Sequence, residues 1–203
     1  MIKLSNIFKS AKPIYILLLV CGLIGLTASM ALTYEKLEVL KDPSYIPACS
    51  INPIVSCNSA MSSPQSEFMG IPVSIIGLIA FTALITVSVL LISGAKLSKE
   101  IWAMIVGTAL AGLAIILYLI AESIFSLRSI CPWCFTLWIS VPLIFLGACA
   151  GYRLQSQSKK LSIVEKSVSY IGTNALTAAI YWYILLFFTL LIAFWDFWVS
   201  LIA

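Results

Sequence analysis

A chain of 203 residues that is 62% hydrophobic and only 10% charged, with a mean hydropathy of +1.09, is too apolar for a soluble domain. Its net charge of +4 comes from scattered lysines and arginines with no basic stripe, which gives no footing for nucleic-acid binding. Histidine is absent, and with it the usual general base and the commonest metal ligand.

Five stretches are apolar over the roughly 20 residues that a helix needs to cross a bilayer: 14–33, 71–92, 101–121, 130–151 and 174–195. Nine of the twelve basic residues precede the first span or lie between the second and third and between the fourth and fifth. Lys36, Lys41 and Arg128 fall on the other side. The positive-inside rule then puts the N-terminus in the cytoplasm and the C-terminus outside. The expected fold is an all-α integral membrane protein, with a four-helix transmembrane bundle plus a fifth transmembrane helix. The expected division is a redox bundle over 1–152 with an outer loop at 34–70, a cytoplasmic linker at 153–173, and the fifth helix within 174–203. The first span, with its basic lead and "SMA" at 29–31, reads either as an uncleaved anchor or as a signal peptide. Its length favours the anchor.

The outer loop is long for a connection without function. It carries four prolines, several serines, mixed charge, and the pair Cys49 and Cys57. A second pair, Cys131 and Cys134, opens the fourth span in "CPWC". All four face one compartment, the oxidising one. Cys21 and Cys149 lie within spans and read as small buried hydrophobes.

Positions i and i+3 share a helix face, so Cys131 and Cys134 can meet. Pro132 suits the first helical position, placing Cys131 at the N-cap, where unpaired N–H groups and the helix dipole favour a thiolate. Such a sulfur attacks disulfides without needing histidine. Cys134 sits one turn deeper beside Phe135, Leu137 and Trp138, surroundings that suit a flat, lipid-soluble redox partner such as a quinone. Other readings of the cysteines are a static disulfide, which in so tight a loop stabilises little, and a zinc site drawn from both pairs. The seven-residue gap between Cys49 and Cys57 is poor zinc spacing, and Phe135 in place of histidine after the C-x-x-C excludes c-type haem attachment. Two pairs in one compartment allow a relay by thiol–disulfide exchange, in which a flexible loop pair meets a soluble partner and then swings to the embedded pair.

These residues resemble the vitamin K epoxide reductase family, bacterial type, over about residues 10–152. The resemblance rests on the loop pair Cys49 and Cys57, on Ser62 and Ser63 beyond it, on "GIPVSIIGL" from Gly70 to Leu78, and on Cys131 and Cys134 opening the fourth span. It implies a four-helix bundle around a quinone. It implies Cys49 as the thiol that meets a thioredoxin-like or DsbA-like protein, Cys57 as the thiol that exchanges with Cys131, and Cys134 as the thiol that reacts with the quinone. Ser63 occupies the position of a functionally important loop serine, although Ser63-Pro64 also reads as a helix N-cap followed by its first residue. Met61, Val73, Trp133 and Trp138 are the expected quinone neighbours. Val73 and Trp138 stand where animal members carry asparagine and tyrosine, which argues against epoxide reduction and for a bacterial enzyme that reduces plain ubiquinone or menaquinone.

No thioredoxin-like domain follows the fifth span, so the thiol partner is expected to be a separate protein. The expected function is a quinone-dependent protein-thiol oxidoreductase of the cytoplasmic (inner) membrane. It would drive disulfide formation from an active site on the periplasmic or extracellular side, with no metal. Two alternatives stand beside it: a DsbB-like oxidase, disfavoured by the reversed order of the two pairs, and a non-catalytic scaffold or transporter subunit stapled by disulfides. Charges within the spans are scarce, which weighs against transport.

Overall fold

The structure, a computed structural model, describes residues 4–42, 44–50, 54–58, 67–68, 70–155, 163–195 and 199. Helix α1 spans Leu4–Lys41, and a two-residue hairpin pairs β1 (Glu67–Phe68) with β2 (Ile71–Pro72). Then follow α2 (Val73–Ile92), α3 (Lys99–Glu122), a π-helical turn (Ser123–Leu127), α4 (Pro132–Gln155), α5 (Ile163–Thr173) and α6 (Ala175–Ala193). Among the described residues five helices are long and apolar enough to cross a membrane, lying within α1, α2, α3 with its π turn, α4 and α6. The protein is a multi-pass membrane protein.

The five spans agree with the apolar runs, but two connections differ from expectation. Residues 34–41, read as the start of the outer loop, continue α1 for two more turns. Within the expected linker 153–173, α4 runs on to Gln155 and α5 forms a separate helix. The "SMA" segment sits inside α1, with Ser29 buried against α2.

Lipid tails are as apolar as leucine, so helices in a bilayer associate through close packing more than through burial of apolar surface. Small residues make the α1–α2 contact possible. Gly25 lies against the Phe81 ring, and a Cβ there would fall 2.4 Å from Phe81 Cε1. The most buried span is α4, which touches α1, α3, α5 and α6. Trp102 of α3 is fully buried against Gly151 of α4 and stacks near Tyr15 of α1. On the far side of α4, Trp182 Nε1 and Tyr183 Oη of α6 donate to the carbonyls of Trp138 and Ile139. α2 therefore leans on α1 while α3 leans on α4, and a cleft runs between α2 and α3.

Candidate functional site

The approach to α4 is built residue by residue. The π turn that ends α3 gives way to Arg128, whose left-handed φ of 47° reverses the chain. Ser129 is then tied to Ser123, with Ser123 Oγ donating to the Ser129 carbonyl and Ser129 N donating to the Ser123 carbonyl. Ile130 next pairs with the loop in a parallel bridge to Val55. Its N–H donates to the Ile54 carbonyl at 2.7 Å and its carbonyl accepts from Ser56 N at 3.2 Å. Cys131 follows as the N-cap of α4, its carbonyl accepting the Phe135 N–H, with Pro132 first in the helix.

That bridge sets the two cysteine pairs together. Cys49 and Cys57 form a disulfide, while Cys131 and Cys134 are free thiols. The Cys57 and Cys131 sulfurs lie 3.1 Å apart. Cys49, Cys57 and Cys131 are all buried and form one cluster, flanked by Leu32 of α1, Trp133 and Cys134. The loop segment before Cys57 is fixed by Ser50, whose Oγ lies 3.3 Å from Ser56 Oγ and accepts from Asn58 N.

The Cys131 thiol is pulled below the ordinary cysteine value. The Cys134 S–H donates to it, and the N–H groups of Cys134 and Trp133 at the open end of α4 add to the effect. Burial and the charge of Glu35 oppose this, but the hydrogen bonds win. The result is a buried sulfur whose pKa hydrogen bonds hold down, at contact distance from one sulfur of a disulfide. That arrangement can exchange disulfides and needs no histidine.

Below this cluster a cavity of about 370 Å³ opens among α1–α4. Cys131 and Cys134 line one end. Its lining on α3 extends from Ile101 to Glu122, a separation of 21 residues or about 31 Å of helix at 1.5 Å each. The lining is overwhelmingly apolar, with Lys36, Glu122 and a few hydroxyls as exceptions. Val73 and Trp138 both line it. Trp138 is fully buried, and its Nε1 has no hydrogen-bond partner.

Of the residues expected at the site, the four cysteines and Trp133 meet in one place, and Val73 and Trp138 border the adjoining cavity. Met61 and Ser63 lie outside the described residues. Cys21 and Cys149 are buried in the helical core, away from the cluster. Among the described residues no group of histidine, cysteine and acidic side chains is placed to hold a metal ion. Sequence reading assigned no role to the end of α1. There Glu35 is buried, and Lys36 borders the cavity and pairs with Glu67 at 3.2 Å. The "YEKLEVLK" run carried the signal, since charge at i and i+1 just past a span places one residue inward on a continued helix.

Fold and cysteine geometry together define a membrane thiol–disulfide oxidoreductase. Residues 16–149 match the model of the vitamin K epoxide reductase family, and the chain belongs to that family. The family is quinone-linked in general and works with thioredoxin-like partners.

Proposed function

We propose that this protein oxidises a thioredoxin-like or DsbA-like thiol protein and passes the electrons to ubiquinone or menaquinone, so driving disulfide formation outside the cytoplasm. The observation that carries the reading is the 3.1 Å approach of Cys57 and Cys131 at the head of a long apolar cavity. The partner's dithiol reduces Cys49–Cys57 by attack at Cys49. Cys57 then attacks Cys131 of an oxidised Cys131–Cys134 pair and releases Cys134. Cys49 in turn attacks Cys57 and restores the loop disulfide, leaving the inner pair reduced. The arrangement seen here, with the loop pair oxidised and the inner pair free, corresponds to the enzyme loaded with electrons.

The cavity fits a quinone by three features: its apolar walls, its length and the unpartnered Trp138 Nε1. Trp138 N–H would donate to a ring carbonyl, Cys134 would face the ring, and the wall from Ile101 to Leu119 would hold the isoprenoid tail. A bound quinone supplies a two-electron, two-proton acceptor. Val73, in place of a polar side chain, leaves no added proton donor for an epoxide oxygen. Met61 and Trp133 as quinone neighbours and Ser63 as the functional loop serine belong to the same reading. The basic-residue bias supports an active site on the periplasmic or extracellular face of the cytoplasmic membrane, with the N-terminus inside and the C-terminus outside. It likewise supports the division into a bundle at 1–152, a cytoplasmic linker at 153–173 and a fifth helix within 174–203.

The test is anaerobic stopped-flow of the purified protein with a reduced thioredoxin-like protein and either quinone. Quinone absorbance should fall catalytically, and Cys134→Ala should abolish the loss. An absence of turnover with both quinones, with all four outer cysteines stably paired, would return the protein to the scaffold reading.

A further inference from the structure

Thiol–disulfide exchange moves protons as well as electrons, because each attacking thiol must lose one and each departing thiolate must regain one. The sequence contains no histidine to carry them. Among the described residues Glu35 is the one buried charged side chain, at 7% exposure. One carboxylate oxygen, Oε2, has no hydrogen-bond partner. A buried, half-satisfied carboxylate is costly, so a fold that retains one invites a functional explanation.

Its position offers one. Glu35 stands one turn beyond Leu32, which packs on the cysteine cluster, and its charge is felt at Cys131. Tyr45, from the loop leading to Cys49, stands near the Glu35 carboxylate, and burial together with that carboxylate pushes its phenol up. The other charged and titratable groups nearby are Tyr34 and Glu38, which act on Tyr45, and Lys36, which is engaged with Glu67.

We propose that Glu35 is the proton acceptor and donor for disulfide exchange at the Cys57–Cys131 junction, with Tyr45 as its positioning residue. The inference rests on the relay reading. When Cys131 attacks the loop disulfide, its proton passes to Glu35. The Cys57–Cys131 bond forms, the Cys49–Cys57 bond breaks, and Cys49 leaves as a thiolate that regains the proton. Forward exchange, with Cys57 attacking Cys131–Cys134, uses the same carboxylate.

The experiment uses the full-length protein in a Cys134→Ser background, where exchange stops at Cys57–Cys131. Protein held at low pH is jumped to each test pH with excess iodoacetamide to trap freed Cys49. It is quenched in acid, and the Cys57–Cys131 peptide is quantified by mass spectrometry. Glu35→Gln, near-isosteric, should slow the reaction on the order of 100-fold near pH 7, a typical general-base contribution. The deficit should shrink as pH rises and hydroxide takes over. Glu35→Asp should recover part of the rate, and Tyr45→Phe should shift the pH profile. An unchanged rate and profile in Glu35→Gln, or a loss equal at every pH, would overturn the inference. Failure of the Cys134→Ser background itself to form Cys57–Cys131 would overturn the relay beneath it.

Discussion

Removing both outer members of the relay, in Cys49→Ala/Cys134→Ala, should leave Cys57 and Cys131 as a pair that oxidises to one defined disulfide. The sulfurs stand 3.1 Å apart and need to close by only about 1 Å to reach the ~2.05 Å of a disulfide. The parallel bridge between Val55 and Ile130 already aligns the two segments. The new bond would close a sequence separation of 74, against 8 for the Cys49–Cys57 bond it replaces. Chain entropy alone assigns about 4.5 kcal/mol to the longer loop and about 2.6 kcal/mol to the shorter. The first figure is a ceiling, because α2 and α3 lie inside the closed loop and membrane helices stay largely helical on unfolding. A rise in Tm on the order of 5 °C between reduced and oxidised variant is the expected size. The assay is alkylation of residual thiols followed by peptide mapping, with Tm measured with and without reductant. Free, alkylatable Cys131 in most molecules after oxidation, or a lower Tm in the oxidised form, would refute the docking on which the relay depends.

The remaining expectations test separate parts. Cys49→Ala should block oxidation of the protein partner yet spare turnover with dithiothreitol, which reaches the inner pair directly; equal loss with both reductants would place Cys49 elsewhere in the route. Because hydrogen bonds hold Cys131 below the ordinary thiol value, its reaction with a small electrophile in Cys49→Ala/Cys57→Ala should stay fast as pH falls through that ordinary range and drop only at lower pH. The same depression adds stability above the ordinary thiol value and loses it as pH falls through the lowered one. A rate profile centred at the ordinary value would contradict it. Gly151→Ala would put a Cβ 2.3 Å from Trp102 Cη2, and since that ring is fully buried the variant should lose about 1–3 kcal/mol, read as a lower Tm in detergent.

The spans were legible because twenty apolar residues in a row have one common explanation, and the cysteines because few residue pairs carry so specific a chemistry. What stayed hidden depended on packing. The last turns of α1 carry Glu35, Lys36, Glu38 and Lys41, so the apolar signal stops at about Thr33 although the helix continues. α5 is amphipathic and only eleven residues long, too short and polar to register as a span, yet Gly172 lets it approach the Cys149 carbonyl closely. The cavity arises because α2 and α3 lean on different partners, and no periodicity in either helix records that. Burial of Glu35 likewise follows from packing around the end of α1, with Tyr45 reaching in from the loop.

The loop pair was expected to swing between a soluble partner and the embedded pair. The proposed relay divides that motion. Cys57 is held by the backbone bonds that join Ile54 and Ser56 to Ile130, the residue directly before Cys131, so its sulfur stays at the exchange point. Cys49 belongs to the segment on the other side, where Ser50 reaches Ser56 and Asn58 through long hydroxyl contacts. Cys49 is itself buried at 9% exposure, and a partner's thiol needs a clear line to its sulfur. Movement is therefore required at Cys49 and unnecessary at Cys57. Under the proposed relay, the outer end opens to a partner while the inner junction stays buried and aligned. In that closed junction the sulfur of Cys131 keeps its hydrogen bonds, and the exchange step needs only a shift of about 1 Å in sulfur position.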